Sequence, residues 1–158
     1  MTRREIAVDY FNKGYNCCQA VLLAFQDLTG LNEETSAMLA SSFGGGMGKL
    51  REVCGAVSGM FMTIGLILGY ADPKDTVAKA AHYKRIQDLA AQFKAKNGSY
   101  ICRELLSGEV AGRDPISASE ISSSTPPAER TAEYYKKRPC GELVGDAAEI
   151  LSEYLKII

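Results

Sequence analysis

Residues 53–71 carry no charged side chain. The run is close to the ~20 apolar residues that span a bilayer, so it has to be removed from water. It is interrupted by Gly55, Gly59, Gly65 and Gly69 and carries Ser58 and Thr63. Glycines with Ala56 let neighbouring helices approach closely. The stretch therefore reads as the buried central helix of a bundle rather than as a membrane span.

The rest of the chain agrees with that frame. Ile6 and Tyr10, with Ala7 and Phe11, give a helical face over 3–13, and Gly14 reads as its stop. Asn16 followed by Gln19 is a capping-box signature, opening a helix from Cys17 to Leu28. Asn32 caps a short helix through Phe43, and 44–48 reads as a flexible glycine loop. Asp72-Pro73 signals the start of a long helix to Lys96, ended by Asn97-Gly98. Ser99 opens a short helix from Tyr100 to Leu106. A final helix from about Cys140 carries Leu143, Ala147, Ile150, Tyr154 and Ile158 as its apolar stripe. With no period-2 alternation and no internal repeat, the expectation is an all-α, single-domain bundle of about six helices over residues 1–158. The Ser- and Gly-rich segment 109–131 reads as a surface excursion with little to bury.

A 158-residue chain with a formal net charge of −1 and no basic run gives nucleic acid or an anionic membrane little to hold. The N-terminus shows no apolar core followed by a small-residue cleavage site, so the expected location is the cytoplasm. Disulfides are usually transient or catalytic there. An odd cysteine count fits poorly with a disulfide scaffold.

The five cysteines, Cys17, Cys18, Cys54, Cys102 and Cys140, fall where helices are expected to begin. Free N–H groups and the positive end of the helix dipole favour a thiolate there. Arg51, Arg103 and Arg138 lie close in sequence to three of them, and positive neighbours lower a thiol pKa further. No C-x-x-C is present, so neither a thioredoxin-type pair nor a zinc ribbon is indicated, and without C-x-x-C-H no covalent haem is expected. Packed core thiols are the ordinary alternative.

Other motifs are weaker. The glycine run fails the Walker pattern, since Leu50 follows Gly48-Lys49, and it fails the dinucleotide fingerprint as well. A turn that lets helices pack accounts for it better than a helix-start anion site. His82, the single histidine, shares a stripe with Ile86, Leu89 and Phe93. It reads as a core histidine, with proton acceptor beside a thiol or extra metal ligand as the sharper alternative.

Gly14-Tyr15-Asn16-Cys17-Cys18-Gln19-Ala20-Val21, Phe43-Gly44-Gly45-Gly46-Met47-Gly48, Cys54-Gly55-Ala56-Val57-Ser58-Gly59, Gly98-Ser99-Tyr100-Ile101-Cys102-Arg103-Glu104-Leu105 and Cys140 form an ordered series. The series resembles the C_GCAxxG_C_C family, named for its cysteine pattern and credited with a redox role. The chain is also similar to the helical region of split-Soret cytochrome c, for which an iron–sulfur-type cysteine site has been proposed. The resemblance implies a functional set of Cys17, Cys54, Cys102 and Cys140, with Cys18 an extra; the reading of the residues themselves adds Arg51, Arg103 and His82 as secondary residues.

Three functions follow as expectations. In the first, a helix-start thiolate, Cys54 or Cys17, attacks a disulfide of an unidentified redox partner, and a second cysteine resolves the product. In the second, the four thiolates hold zinc or an iron–sulfur cluster. The third is a non-catalytic assembly module, with the glycine-rich helix at a homodimer interface.

Overall fold

The computed structural model describes residues 1–108 and 115–158, so the 109–114 part of the expected excursion lies outside the described residues. The chain is all-α. Its helices are α1 (Arg3–Asn12), α2 (Cys17–Leu23), α3 (Gln26–Thr29), α4 (Glu33–Ala40), α5 (Gly55–Leu68), α6 (Thr76–Asn97), α7 (Cys102–Leu106), α8 (Ala118–Ile121), α9 (Ala132–Lys137) and α10 (Cys140–Leu155). Six of them have seven residues or more. The only pairing of extended backbone among the described residues is an antiparallel bridge between Val53 and Ile101. No helix among them is long and apolar enough to cross a membrane.

The helix starts are set by local chemistry. Thr2 and Glu5 form a capping box on α1, and Asn16 and Gln19 form one on α2. In each, two otherwise orphaned N–H groups are satisfied reciprocally. Asn32 accepts from Thr35 N at 2.8 Å at the start of α4.

Several expected boundaries move. The helix opened at Cys17 breaks at Phe25 (φ −119°, ψ 19°) instead of running to Leu28. The break turns Phe25 wholly into the core, with the Arg3 guanidinium 5.2 Å from its ring centroid. α4 ends at Ala40, and 41–43 tighten into a 3₁₀ turn. Asp72-Pro73 does not start a helix. It forms a β-turn in which Asp75 N donates to Asp72 O at 3.1 Å, with Pro73 where its fixed φ suits the second turn position. Asp75 then caps α6 by accepting from Ala78 N at 2.9 Å. The apolar stripe of α10 also stops early: Tyr154 and Ile158 are exposed, and the helix ends at left-handed Lys156.

α5 is buried from Gly55 to Met60 and again at Thr63 and Ile64, while Leu66 and Leu68 face outward. α10 shares the centre with it and packs against α1, α2, α5 and α6. α2 packs closely against the first turns of α5. A Cβ on Gly59 would stand 2.8 Å from Cys18 O and 2.9 Å from Val21 Cβ. A Cβ on Gly55 would stand 3.1 Å from Cys17 Cβ. The spacing of C-G-A-x-x-G therefore lays two glycines on one face (i, i+4), and that bare face brings the Cys17 end of α2 against the Cys54 end of α5.

Candidate functional site

Four separate segments deliver four cysteines to one cavity. Cys17 is the first residue of α2, Cys54 the N-cap of α5, Cys102 the first residue of α7 and Cys140 the first residue of α10. Cys54 and Cys102 are placed by the short bridge: Cys54 N donates to Tyr100 O at 2.8 Å and Cys102 N to Glu52 O at 2.6 Å. The bridge in turn depends on the glycine run, which is a defined left-handed turn and not the flexible loop expected from its composition. Gly45, Gly46, Met47, Gly48, Lys49 and Arg51 all have positive φ. Arg51 N donates back to Gly45 O at 3.2 Å and Glu52 N to Gly46 O at 2.9 Å. A Cβ on Gly46 would lie 2.6 Å from Cys102 Cβ and 2.8 Å from Arg51 Cα, so this position has room for glycine alone.

The cavity has a volume of about 170 Å³. All four cysteines line it, together with Lys49, Arg51, Arg130, Arg138 and Tyr134. All five cysteines of the chain are free thiols. Among the described residues, no three Cys, His, Asp or Glu side chains are placed to hold a metal ion.

The thiols are not equivalent. Cys140 is pulled down to about 7, first by its pairing with the Cys17 thiol, against the cost of burial, and then by Arg138, Arg51 and Arg130. Cys17 is held well above the ordinary thiol range by the same pairing and by burial. Burial raises Cys54, with Cys102 and Cys140 adding to it. Burial also raises Cys102, though Arg51 opposes this with Nη1 at 3.7 Å from the sulfur. The electrostatics thus lower Cys140 and raise Cys17, Cys54 and Cys102. Helix-start placement is common to all four, and the neighbouring donors and cations distinguish them.

The secondary residues separate clearly. Arg51 belongs to the site. Arg103 does not: it leaves the cavity, pairs with Glu52 at 2.9 Å and donates to Arg51 O. His82 lies on α6 with Nδ1 2.9 Å from Arg85 Nη1 and its ring against Tyr70. Burial and Arg85 push its pKa down, and it lines no part of the thiol cavity. Cys18 faces away into a cluster with Leu22, Ala40, Phe43 and Met62, donates to Met62 Sδ at 3.7 Å, and is pushed up to about 12 by burial.

Three contributors lie beyond the sequence reading: Lys49, Arg130 and Tyr134. Arg130 Nη1 donates to Phe11 O at 2.7 Å and Nη2 to Tyr15 O at 2.8 Å. The Tyr134 ring lies between Arg130 (5.8 Å) and Arg138 (4.4 Å). Their i, i+4, i+8 spacing was the available signal. The described part of the excursion is fastened over the cavity. Lys49 Nζ donates to Thr125 O at 2.6 Å and Pro126 O at 2.9 Å, Arg51 to Ile121 O and Glu120 O, and Arg138 pairs with Glu120 at 3.1 Å. Pro127 and Ala128 contribute to the wall, and Ile116 is buried.

No curated protein and no solved structure matches the chain, which leaves the likeness to split-Soret cytochrome c without support. The family model described as "Putative redox-active protein (C_GCAxxG_C_C)" matches residues 15–154. That span includes the four converging cysteines, the glycine turn and the strap above them, and the chain belongs to this family.

Proposed function

We propose that this protein is a dithiol redox protein in which Cys140 is the nucleophile and Cys17 the resolving thiol. The observation that carries the reading is that Cys17 and Cys140 line one cationic cavity, where the electrostatics lower Cys140 and raise Cys17. The two thiols of this cavity thereby have opposite protonation preferences. The Cys140 thiolate attacks one sulfur of an oxidised disulfide. The disulfide S–S bond breaks, its other half leaves as a thiolate, and a mixed disulfide with Cys140 forms. Cys17 then attacks Cys140 Sγ, its proton passing to the departing thiolate, and the Cys17–Cys140 disulfide closes. Two electrons move from the protein to the partner. Arg51, Arg130 and Arg138 stabilise the negative charge that travels along the line of sulfurs. Cys54 and Cys102, protonated and buried, complete the wall.

The test is the pH dependence of alkylation by iodoacetamide, followed at each cysteine by peptide mass spectrometry on the reduced protein. Cys140 should react with a midpoint near 7, ahead of the other four thiols. If no thiol titrates below the free value of about 8.5, the proposal fails.

A further inference from the structure

The charges around the cavity do not balance. Lys49, Arg51, Arg130 and Arg138 line it, while one carboxylate, Glu120, pairs with Arg138. The partners of the other three are neutral. Lys49 has Thr125 and Pro126, Arg51 has the carbonyls of Glu120 and Ile121 and the Cys102 sulfur, and Arg130 has the carbonyls of Phe11 and Tyr15. Four cations against Glu120 and one Cys140 thiolate leave two positive charges without an anion among the described residues. Arg51, only 8% exposed, sets its charge against the Cys140 thiolate, so the two cations left over are the half-buried Lys49 and Arg130. The cavity is thus built for negative charge beyond its own thiolate.

Its size limits what that charge is attached to. A cavity of about 170 Å³ holds a small anion of a few non-hydrogen atoms. A small inorganic anion fits, and to oxidise a dithiol it must carry a bond that a thiolate can cleave.

We infer that the substrate of this site is a small sulfane-sulfur anion, of which thiosulfate is the simplest probe. The inference rests on the dithiol reading above. The Cys140 thiolate attacks the outer sulfur of thiosulfate. The S–S bond of the anion breaks, sulfite leaves with the bonding pair, and a Cys140 persulfide forms. Cys17 attacks Cys140 Sγ, the persulfide bond breaks, and the terminal sulfur leaves as hydrosulfide carrying the Cys17 proton. The disulfide Cys17–Cys140 remains. The summed charge of thiolate and thiosulfate equals that of hydrosulfide and sulfite, and the two electrons taken from the thiols reside in the hydrosulfide. Arginines facing both anions remove the repulsion that keeps a thiolate and a dianion apart in water.

The experiment uses the full reduced chain under anaerobic conditions, at ionic strength held constant with chloride. Sulfate, which has the charge of thiosulfate but no cleavable S–S bond, should slow alkylation of Cys140 saturably, by about tenfold at ten times its dissociation constant. Arg130→Gln should weaken this protection. Thiosulfate should release one sulfite and one hydrosulfide per chain as Cys17 and Cys140 are lost, and it should oxidise the pair faster than glutathione disulfide does. Absence of sulfate protection, or of sulfite release, overturns the inference while a Cys140 midpoint near 7 leaves the dithiol reading standing. Faster oxidation by glutathione disulfide overturns the preference for a small anion. If Cys140 has no depressed midpoint, the dithiol reading itself fails.

Discussion

Replacing Cys17 with Ala deletes the thiol that holds Cys140 in its ionised form. Pairing with Cys17 is the largest influence on Cys140, ahead of burial and of the three arginines, and a thiol beside a thiolate acts as its hydrogen-bond donor. A hydrogen bond to a charged group contributes about 1.5–3 kcal/mol, and 1.36 kcal/mol corresponds to one pKa unit. Without it, Cys140 should move from about 7 to about 8–9, so that at neutral pH its thiolate fraction falls from about half to about a tenth or less. Raw rates understate the change, because a more basic thiolate is intrinsically more nucleophilic. The readout is therefore the midpoint of the pH–rate profile at Cys140, obtained with iodoacetamide and quantified on the Cys140 peptide. Cys17→Ser supplies the control, since its hydroxyl still donates, and its midpoint should stay close to that of the native chain. A midpoint that stays near 7 in Cys17→Ala, or that rises equally in Cys17→Ser, refutes the reasoning.

Three further outcomes follow. Gly59→Ala puts a methyl 2.8 Å from the Cys18 carbonyl. It should destabilise the fold by about 1–3 kcal/mol, lowering Tm by about 2–4 °C per kcal/mol, and should raise the Cys140 midpoint as α2 moves off α5. Arg51→Gln removes the donors that hold the carbonyls of Glu120 and Ile121, so hydrogen exchange and limited proteolysis should accelerate over 117–126 with little change in α1 or α10. Stability of the reduced protein should fall above about pH 8.5, where unfolded thiols ionise. Cys17, Cys54 and Cys102 have raised folded values, so their contribution is complete below that pH and is lost as pH rises through those values. Cys140 acts in the opposite sense: its contribution is present at high pH and is lost on descending through about 7. Urea midpoints between pH 6 and 10.5 check both arms, and Cys54→Ala should flatten the alkaline decline.

The helix starts were legible because caps are local. Asn16 with Gln19, and the cysteine at the head of each helix, need only a few residues of context. Convergence was not legible from spacing, because it depends on contacts between distant segments. The two glycines of C-G-A-x-x-G set how near α2 comes to α5, and the glycine turn sets the register of the Val53–Ile101 bridge. Arg51 and Arg103 looked alike in sequence, one before Cys54 and one after Cys102. Left-handed backbone at Arg51 accompanies a side chain turned inward to Cys102, whereas Arg103 is taken by Glu52. Arg130 was missed because it is ten positions from its nearest cysteine, although its spacing with Tyr134 and Arg138 marked a common face. The strap was read as a polar excursion because most of its residues are exposed. What fastens it is the side chains of Lys49 and Arg51 reaching its carbonyls, which its own composition does not record.

The central claim is that Cys17 and Cys140 form the working pair. Its most direct test is disulfide mapping after the reduced protein is oxidised with one equivalent of a two-electron oxidant and the remaining thiols are trapped by alkylation. The expected product is a single Cys17–Cys140 disulfide, reversible by dithiothreitol, with Cys18, Cys54 and Cys102 recovered as alkylated thiols. A first disulfide that joins any other pair, or five alkylated thiols after oxidation, would contradict it.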